Sequence, residues 1–426
     1  MNTRTIPSLS KSLLPLALAT LLAGTTAAKT NGEPDESADD EARFEALESK
    51  VDILTEEILR LQGGDLSGPL GHSHSGLGRA ASRVFGSSGG LSLGGYGEGL
   101  YQNFRSGSAT DETDFLRAIL YVGYKFDANW VFNSEIEIEH ADSIFIEFAA
   151  LDYLYEEALN FRAGTLLIPM GFLNEQHEPT SFYPVRRTDI ETFILPSTWR
   201  ENGIGVYGET DTIAYRAYVV NGFDGQDFRP MDGLRAGRQK ASQAKANDLA
   251  GVVRLDFTGL DWITVGGSYY IGHSAQDVDG INGKVSIMEA HAEVNLGGFR
   301  GRALWANADV DDVVALRTAG LGAAPAIGDV IGRNLQGGYL EGSFDVFSLT
   351  ERDDQLTPFL RYESYDLQRD MPSGFTATGM FDVRVTTVGL AYQPNANLIL
   401  KADFQNYDSL DHSRANQFNL GMGYIF

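Results

Sequence analysis

The last eleven residues, Asn416 to Phe426, carry an apolar side chain at every second position and end on an aromatic. Side chains two apart share one face of a β-strand, so Phe418, Leu420, Met422, Tyr424 and Phe426 form an apolar stripe, while Gln417, Asn419, Gly421 and Gly423 turn the other way. A strand with hydrocarbon on one side and water on the other needs this split. A sheet placed in a bilayer must also close on itself, because hydrocarbon offers no partner to an unpaired backbone group. The pattern therefore predicts an all-β fold, a transmembrane barrel closed by this strand.

The opposite end agrees. Arg4 and Lys11 precede the apolar run Leu13 to Gly24, and Thr26-Ala27-Ala28 supplies small residues for cleavage, so residues 1–28 read as a secretory signal peptide. The run is too short for a spanning helix, which needs about 20 apolar residues, and no other stretch approaches that length. Removing it makes the formal charge of −25 two units more negative, a balance that disfavours nucleic-acid partners. Cysteine is absent, so an exported chain of this size must be held without disulfides, as a closed hydrogen-bond ladder allows. With 48 Gly, 24 Phe and 18 Tyr the bulk of the chain suits alternating strands and not disorder. The closing strand with its C-terminal Phe also resembles the signal that bacterial outer-membrane proteins present to their assembly machinery. That resemblance implies the outer membrane, with outer-membrane lipid around the barrel and the N-terminal segment in the periplasm.

Between the two ends the pattern changes twice. Lys29 to Asp40 is a polar, acidic leader; then Phe44, Leu47, Val51, Leu54, Ile58 and Leu61 alternate spacings of three and four, the seam of a short coiled coil. A lone helix of this length is marginal in water, so residues 29–62 predict either self-association or an amphipathic helix packed on its own barrel. Residues 63–90 are rich in Gly and Ser and read as a tether. From residue 91 to 426 sixteen candidate strands follow, among them Leu91 to Phe104, Lys284 to Leu296 and Ala415 to Phe426. Every second connection is short and turn-like, as at Asp127-Ala128-Asn129, Thr210-Asp211 and Gly297-Gly298. The alternate set holds the long ones: Pro169 to Glu201, Asn221 to Asn247, Val310 to Asn334 and Asp366 to Met380. Long loops confined to one side are what an outer-membrane barrel carries.

Where alternation is clean, charges can be assigned to the lumen. Phe132, Ile136 and Ile138 mark a lipid face that sends Glu135, Glu137 and Glu139 inward. Met288 to Leu296 likewise places Glu289, His291 and Glu293 inside, and Leu398 to Phe404 turns Lys401 and Asp403 inward. The same rule assigns Arg117, Lys125, Arg162, Arg216, Arg254, Arg300, Arg302, Arg361 and Arg384 to the lumen, since a lipid-facing Arg costs about 2–4 kcal/mol at the midplane. Such a wall would guide solutes, or would be a set of ion pairs that holds the barrel's shape.

One region carries a family likeness. Phe161 to Phe172, with its Pro169-Met170-Gly171 turn, and Phe193 to Gly208, with Arg200 ahead of Gly203-Ile204-Gly205, resemble the phosphate-selective porin O/P family. The resemblance implies a sixteen-stranded trimeric porin whose third extracellular loop folds inward. Within that loop Arg186 and Arg187, with Arg200 at its exit, would draw anions to a constriction, with Asp189, Glu191 and Glu201 close enough to neutralise them. Arg229, Arg235, Arg238, Lys240 and Lys245 in the fourth loop would add a basic vestibule if that loop bends inward. The third loop lacks the Lys that the family's constriction carries, and the Glu135, Glu137 and Glu139 row is acidic, so phosphate specificity does not carry over.

No catalytic chemistry is expected. Gly86-Ser87-Ser88-Gly89-Gly90 matches the nucleophile elbow in letters, but that motif needs a strand before it and a helix after it. His72, His74 and His177, the last between Glu175 and Glu178, sit in segments read as mobile, without preorganised metal geometry. No cofactor is implied. The reading is an outer-membrane porin, a homotrimer, for passive diffusion of small hydrophilic solutes with a lean toward anions such as phosphate or small carboxylates. The alternatives are a barrel enzyme of the phospholipase or protease kind, and a barrel that anchors a periplasmic coil.

Overall fold

Strands with one apolar and one polar face can bury every backbone group only if the sheet's edges meet. The computed structural model, which describes residues 49–50, 70–105 and 109–426, does this with sixteen antiparallel strands, each paired to its sequence neighbours and closed by the first against the last. They are β1 (Gly90–Phe104), β2 (Glu112–Lys125), β3 (Trp130–Glu139), β4 (Ser143–Glu156), β5 (Leu159–Leu167), β6 (Arg200–Glu209), β7 (Ile213–Asn221), β8 (Leu249–Leu260), β9 (Ile263–His273), β10 (Lys284–Leu296), β11 (Phe299–Val310), β12 (Asn334–Phe344), β13 (Gln355–Asp370), β14 (Asp382–Asn395), β15 (Leu398–Ser409) and β16 (Gln417–Ile425). The chain divides into two units, residues 1–61 and 62–426, the second holding the barrel. The signal peptide and acidic leader lie outside the described residues, as does the expected coil except for Ser49 and Lys50, which are helical.

The outer surface is apolar. Leu120, Ile144, Ile204, Leu255, Leu340 and Leu400 point outward and are exposed, a belt no water-soluble surface of this extent would carry. Exposed aromatics gather beside the short turns: Tyr124, Phe126, Trp130, Tyr155, Phe257, Trp262, Phe299 and Phe426. Such a girdle is the interfacial signature of spanning barrels.

One irregularity re-aims the wall. In β3–β4 pairing, Glu135 faces Phe148 and Ile136 faces Ile146, so Glu147 is an extra residue, a β-bulge. Ile144 and Ile146 face out on one side of it and Leu151 on the other, an even-to-odd change of parity that turns both Glu147 and Phe148 inward.

Two segments fill the interior. The connection 168–199 runs inward, where Ile168, Met170, Ile190, Ile194, Leu195 and Trp199 pack on Tyr218, Tyr270, Ile287 and Tyr339 of the wall. Burying each such side chain contributes about 1.5–3 kcal/mol, which fixes the loop. Trp199 stacks on Phe223 with ring centres 4.5 Å apart, joining it to the next long connection, 222–248. The second filler corrects the expected tether. Residues 70–89, including the short helix α1 (Arg83–Gly86), enter from the short-turn end and lie against the inner wall, with Leu77, Ala80, Ala81 and Val84 buried. Asn133 donates to the Ala81 carbonyl at 2.8 Å, and Lys125 Nζ to those of Phe85 and Ser87 at 3.2 and 3.0 Å. Small residues and glycines suggest slack, but here they let backbone approach backbone, as at Gly94 beside the Ala80 carbonyl.

Candidate pore constriction

Most cations of the wall are already paired. Arg117 lies 3.4 Å from Glu98 and 3.5 Å from Glu137; Arg162 meets Asp152 at 2.6 Å; Arg216 and Arg254 share Asp256 at 3.0 and 2.8 Å. His291 bridges Asp256 and Glu289, Arg300 and Arg302 converge on Glu293, and Arg361 meets Glu363 at 2.8 Å. Lys401 donates to the Pro184 carbonyl at 3.1 Å beneath the Phe182 ring. These groups, with Lys125, Glu135, Glu137 and Glu139, face inward. Arg384 does not: it shares the outward face with Val388 and Leu390, close to the long-loop rim, and pairs with exposed Asp408 at 4.0 Å. Beyond the apolar belt an outward guanidinium is solvated, so the lipid penalty that argued for its lumen placement is absent.

The inward loop spans the lumen by backbone contacts. Arg254 donates to the Gly171 carbonyl, Arg300 to that of Ser181, and Arg361 to that of Arg186. Asp403 accepts the Val185 N–H at 2.6 Å and Glu363 the Asp189 N–H at 2.9 Å. Within the loop, α2 (Ile190–Phe193) presents Glu191, which accepts the N–H groups of Phe172 and Leu173 and the Tyr339 hydroxyl. Asp189 accepts the Tyr365 hydroxyl at 2.8 Å. Two of the expected constriction residues are thus braces of the loop, and Arg200, paired with Glu147 at 3.1 Å, is a third.

What remains uncompensated lies in the loops. The connection 222–248 folds inward onto the first: the Leu234 N–H donates to the Phe193 carbonyl at 2.9 Å and Arg238 Nη1 to that of Thr198 at 2.6 Å. Among the described residues, Arg186, Arg187, Arg235 and Arg238 have no carboxylate within 4.0 Å. Burial first, then Arg187 and Arg117, hold the Arg235 guanidinium down to about 10. Burial, then Arg235 and Arg200, hold Arg238 well below the usual range, and Lys240 is lowered by burial and then by Arg238. Cations crowded this way stabilise an anion between them.

Sequence reasoning missed Glu147, although the parity change from Ile144 and Ile146 to Leu151 and Tyr153 marks the bulge that turns it inward. His177, expected in a mobile loop, is 2% exposed and packed on the wall.

No family model matches the sequence. An uncharacterized protein of Aquifex aeolicus is 36% identical over 366 residues, covering 83% of this chain and 84% of that one. Among solved structures, Salmonella typhi OmpF in complex with daunomycin is similar with a TM-score of 0.53 at 14% identity, over 80% of this chain and 98% of that one. The outer membrane channel DcaP of Acinetobacter baumannii gives 0.51 at 12% identity, over 79% of this chain and 97% of that one. A loop deletion mutant of OmpT, an outer membrane protein of Vibrio cholerae, gives 0.51 at 14%, over 80% of this chain and all of that one. These likenesses show a sixteen-stranded barrel of porin type.

Proposed function

The chain belongs to one family with the uncharacterized Aquifex aeolicus protein, and from the barrel of this chain we propose that it is an outer-membrane porin through which small hydrophilic solutes diffuse passively, with anions favoured. The observation that carries this reading is the group of loop guanidiniums, Arg186, Arg187, Arg235 and Arg238, inside a wall most of whose arginines are paired with carboxylates. A small anion passing them replaces lost hydration with N–H donors, and a cation is repelled by them. The apolar belt and aromatic girdle support insertion in the outer membrane, with the short turns and residues 70–89 on the periplasmic side. The likeness of 161–172 and 193–208 to the phosphate-selective porin O/P family supports a homotrimer and solutes of the phosphate or small carboxylate class.

The test is the reversal potential of the purified protein in a planar bilayer under a potassium chloride gradient. Anion preference supports the reading; cation preference would hand the passage to less buried wall carboxylates such as Glu139. Absence of conductance would favour the second reading, a barrel that serves as an anchor. That reading draws on the two fillers, which together touch much of the wall.

A further inference from the structure

His177 is held in one orientation. Its Nδ1 lies 3.0 Å from the Asn174 carbonyl, which can only accept, so Nδ1 carries a proton and Nε2 is the atom offered to the wall. That atom lies 3.1 Å from Glu135 Oε1 and 3.3 Å from Glu147 Oε2, and one ligand atom from each of the three residues lies within 4.8 Å of the others. All three side chains are at most 1% exposed. Glu147 Oε1 is occupied by the Thr198 hydroxyl and by Arg200, which leaves Oε2 directed at the imidazole.

The cluster also holds oxygens that nothing satisfies. Glu147 Oε2 and Glu135 Oε2 are buried without a hydrogen-bond donor, and Glu137 Oε1 beside them has only the Arg117 guanidinium at 3.5 Å. A buried carboxylate oxygen left without a partner costs several kcal/mol, so a group of them around one imidazole nitrogen points to a cation. Ligands at about 2.0–2.1 Å in a tetrahedron are about 3.3–3.4 Å from one another; the two Nε2–oxygen separations, 3.1 and 3.3 Å, are within a few tenths of an ångström of that, and the three ligand atoms all lie within 4.8 Å. A ring N–H given to a backbone carbonyl is the usual second contact of a metal-binding histidine.

We infer that Glu135, Glu147 and His177 form a site for a divalent transition-metal ion of the zinc class, clamping the inward loop to β3 and β4. One imidazole and two carboxylates are the donor set of such ions, and a water held by Glu137 completes the coordination. The β-bulge shapes the site: Glu147 is its extra residue, and it faces inward beside Phe148 and next to Glu135. The inference does not depend on whether solutes pass.

The competing arrangement is an imidazolium that bridges both carboxylates with no metal. The experiment uses the full chain in detergent, stripped with chelator and dialysed against zinc chloride, with bound metal counted by atomic emission. The expected result is one zinc per chain, at least tenfold less in His177→Gln and in Glu147→Gln, and higher thermal stability with zinc than with chelator. Cobalt loaded into the unaltered chain should give the absorption of a four-coordinate ion, bleached by zinc, a readout that stands even if the variants fail to fold. No retained metal, equal metal in the variants, or cobalt that absorbs as the free aqueous ion would each overturn the site and leave the imidazolium.

Discussion

The Glu178 carboxylate accepts the backbone N–H of Ala80 at 2.8 Å, and of Ala81 at 3.1 Å, so the inward loop holds the segment that enters from the opposite end of the barrel. Glycine at 78 makes this approach possible, since a Cβ there would sit 2.3 Å from the same carboxylate.

Replacing Glu178 by Ala leaves two buried N–H groups unsatisfied, at about 1–3 kcal/mol each. The segment 70–89 should loosen while the barrel stays closed. Trypsin should then cut after Arg79 or Arg83 several times faster than in the unaltered chain, as read by mass spectrometry; equal rates would mean that the contact holds nothing.

Arg187→Ala and Arg235→Ala should each lower the anion preference. A unit charge at about 4 Å is worth about 1 kcal/mol even in bulk water, roughly fivefold in relative permeability. The reversal potential should shift toward zero in each single variant and further in the double. A shift of the opposite sign would remove these groups from the solute path.

Glu191→Gln separates a brace from a pore charge. The carboxylate is already spent on Phe172, Leu173 and Tyr339, so the change should lower thermal stability, by about 1–3 kcal/mol, and leave ion selectivity where it was. A changed reversal potential with unchanged melting would return Glu191 to the constriction.

Acid should release the entering segment. His74 stacks on Phe85 at 4.0 Å, and burial, then Arg162, Arg216 and Lys125, hold its imidazole down to about 4; Glu156, Glu157 and Glu209 line the same cleft without reversing this. The folded form therefore binds fewer protons than the unfolded one between pH 4 and the ordinary 6.5. Its contribution is complete above about 6.5 and is lost as pH falls toward 4, at most roughly 3 kcal/mol before solvent screening lessens it. Hydrogen exchange of residues 77–87, corrected for intrinsic rate, should quicken relative to the strands between pH 7 and 5, and His74→Phe should abolish the difference.

The strands were legible because lipid and water impose opposite demands on alternate residues. β10 begins at Lys284 and ends at Leu296, the limits its alternation predicts. The interior obeys no such period. Ile194, Trp199 and Leu234 bury themselves from irregular backbone, so nothing in their spacing says which way they turn. Arg384 misled because a wall rule was applied beyond the belt where it holds. Residues 70–89 misled because glycine and serine mark both a free tether and a close-packed one. For the basic fourth loop, sequence could state only a condition, that it bend inward; Leu234, wholly buried, decides it.

The seam between β1 and β16 has a kinetic meaning. The other pairings join neighbours in sequence and can zip up hairpin by hairpin, whereas Tyr96 must find Ile425 across nearly the whole barrel sequence. Until they meet, the growing sheet has two raw edges, each a template for a stray strand. Closure is therefore the late event that a folding escort has to guard, and a substitution confined to Tyr96 through Phe104 would be felt as slow maturation and aggregation before it was felt as a weaker finished barrel.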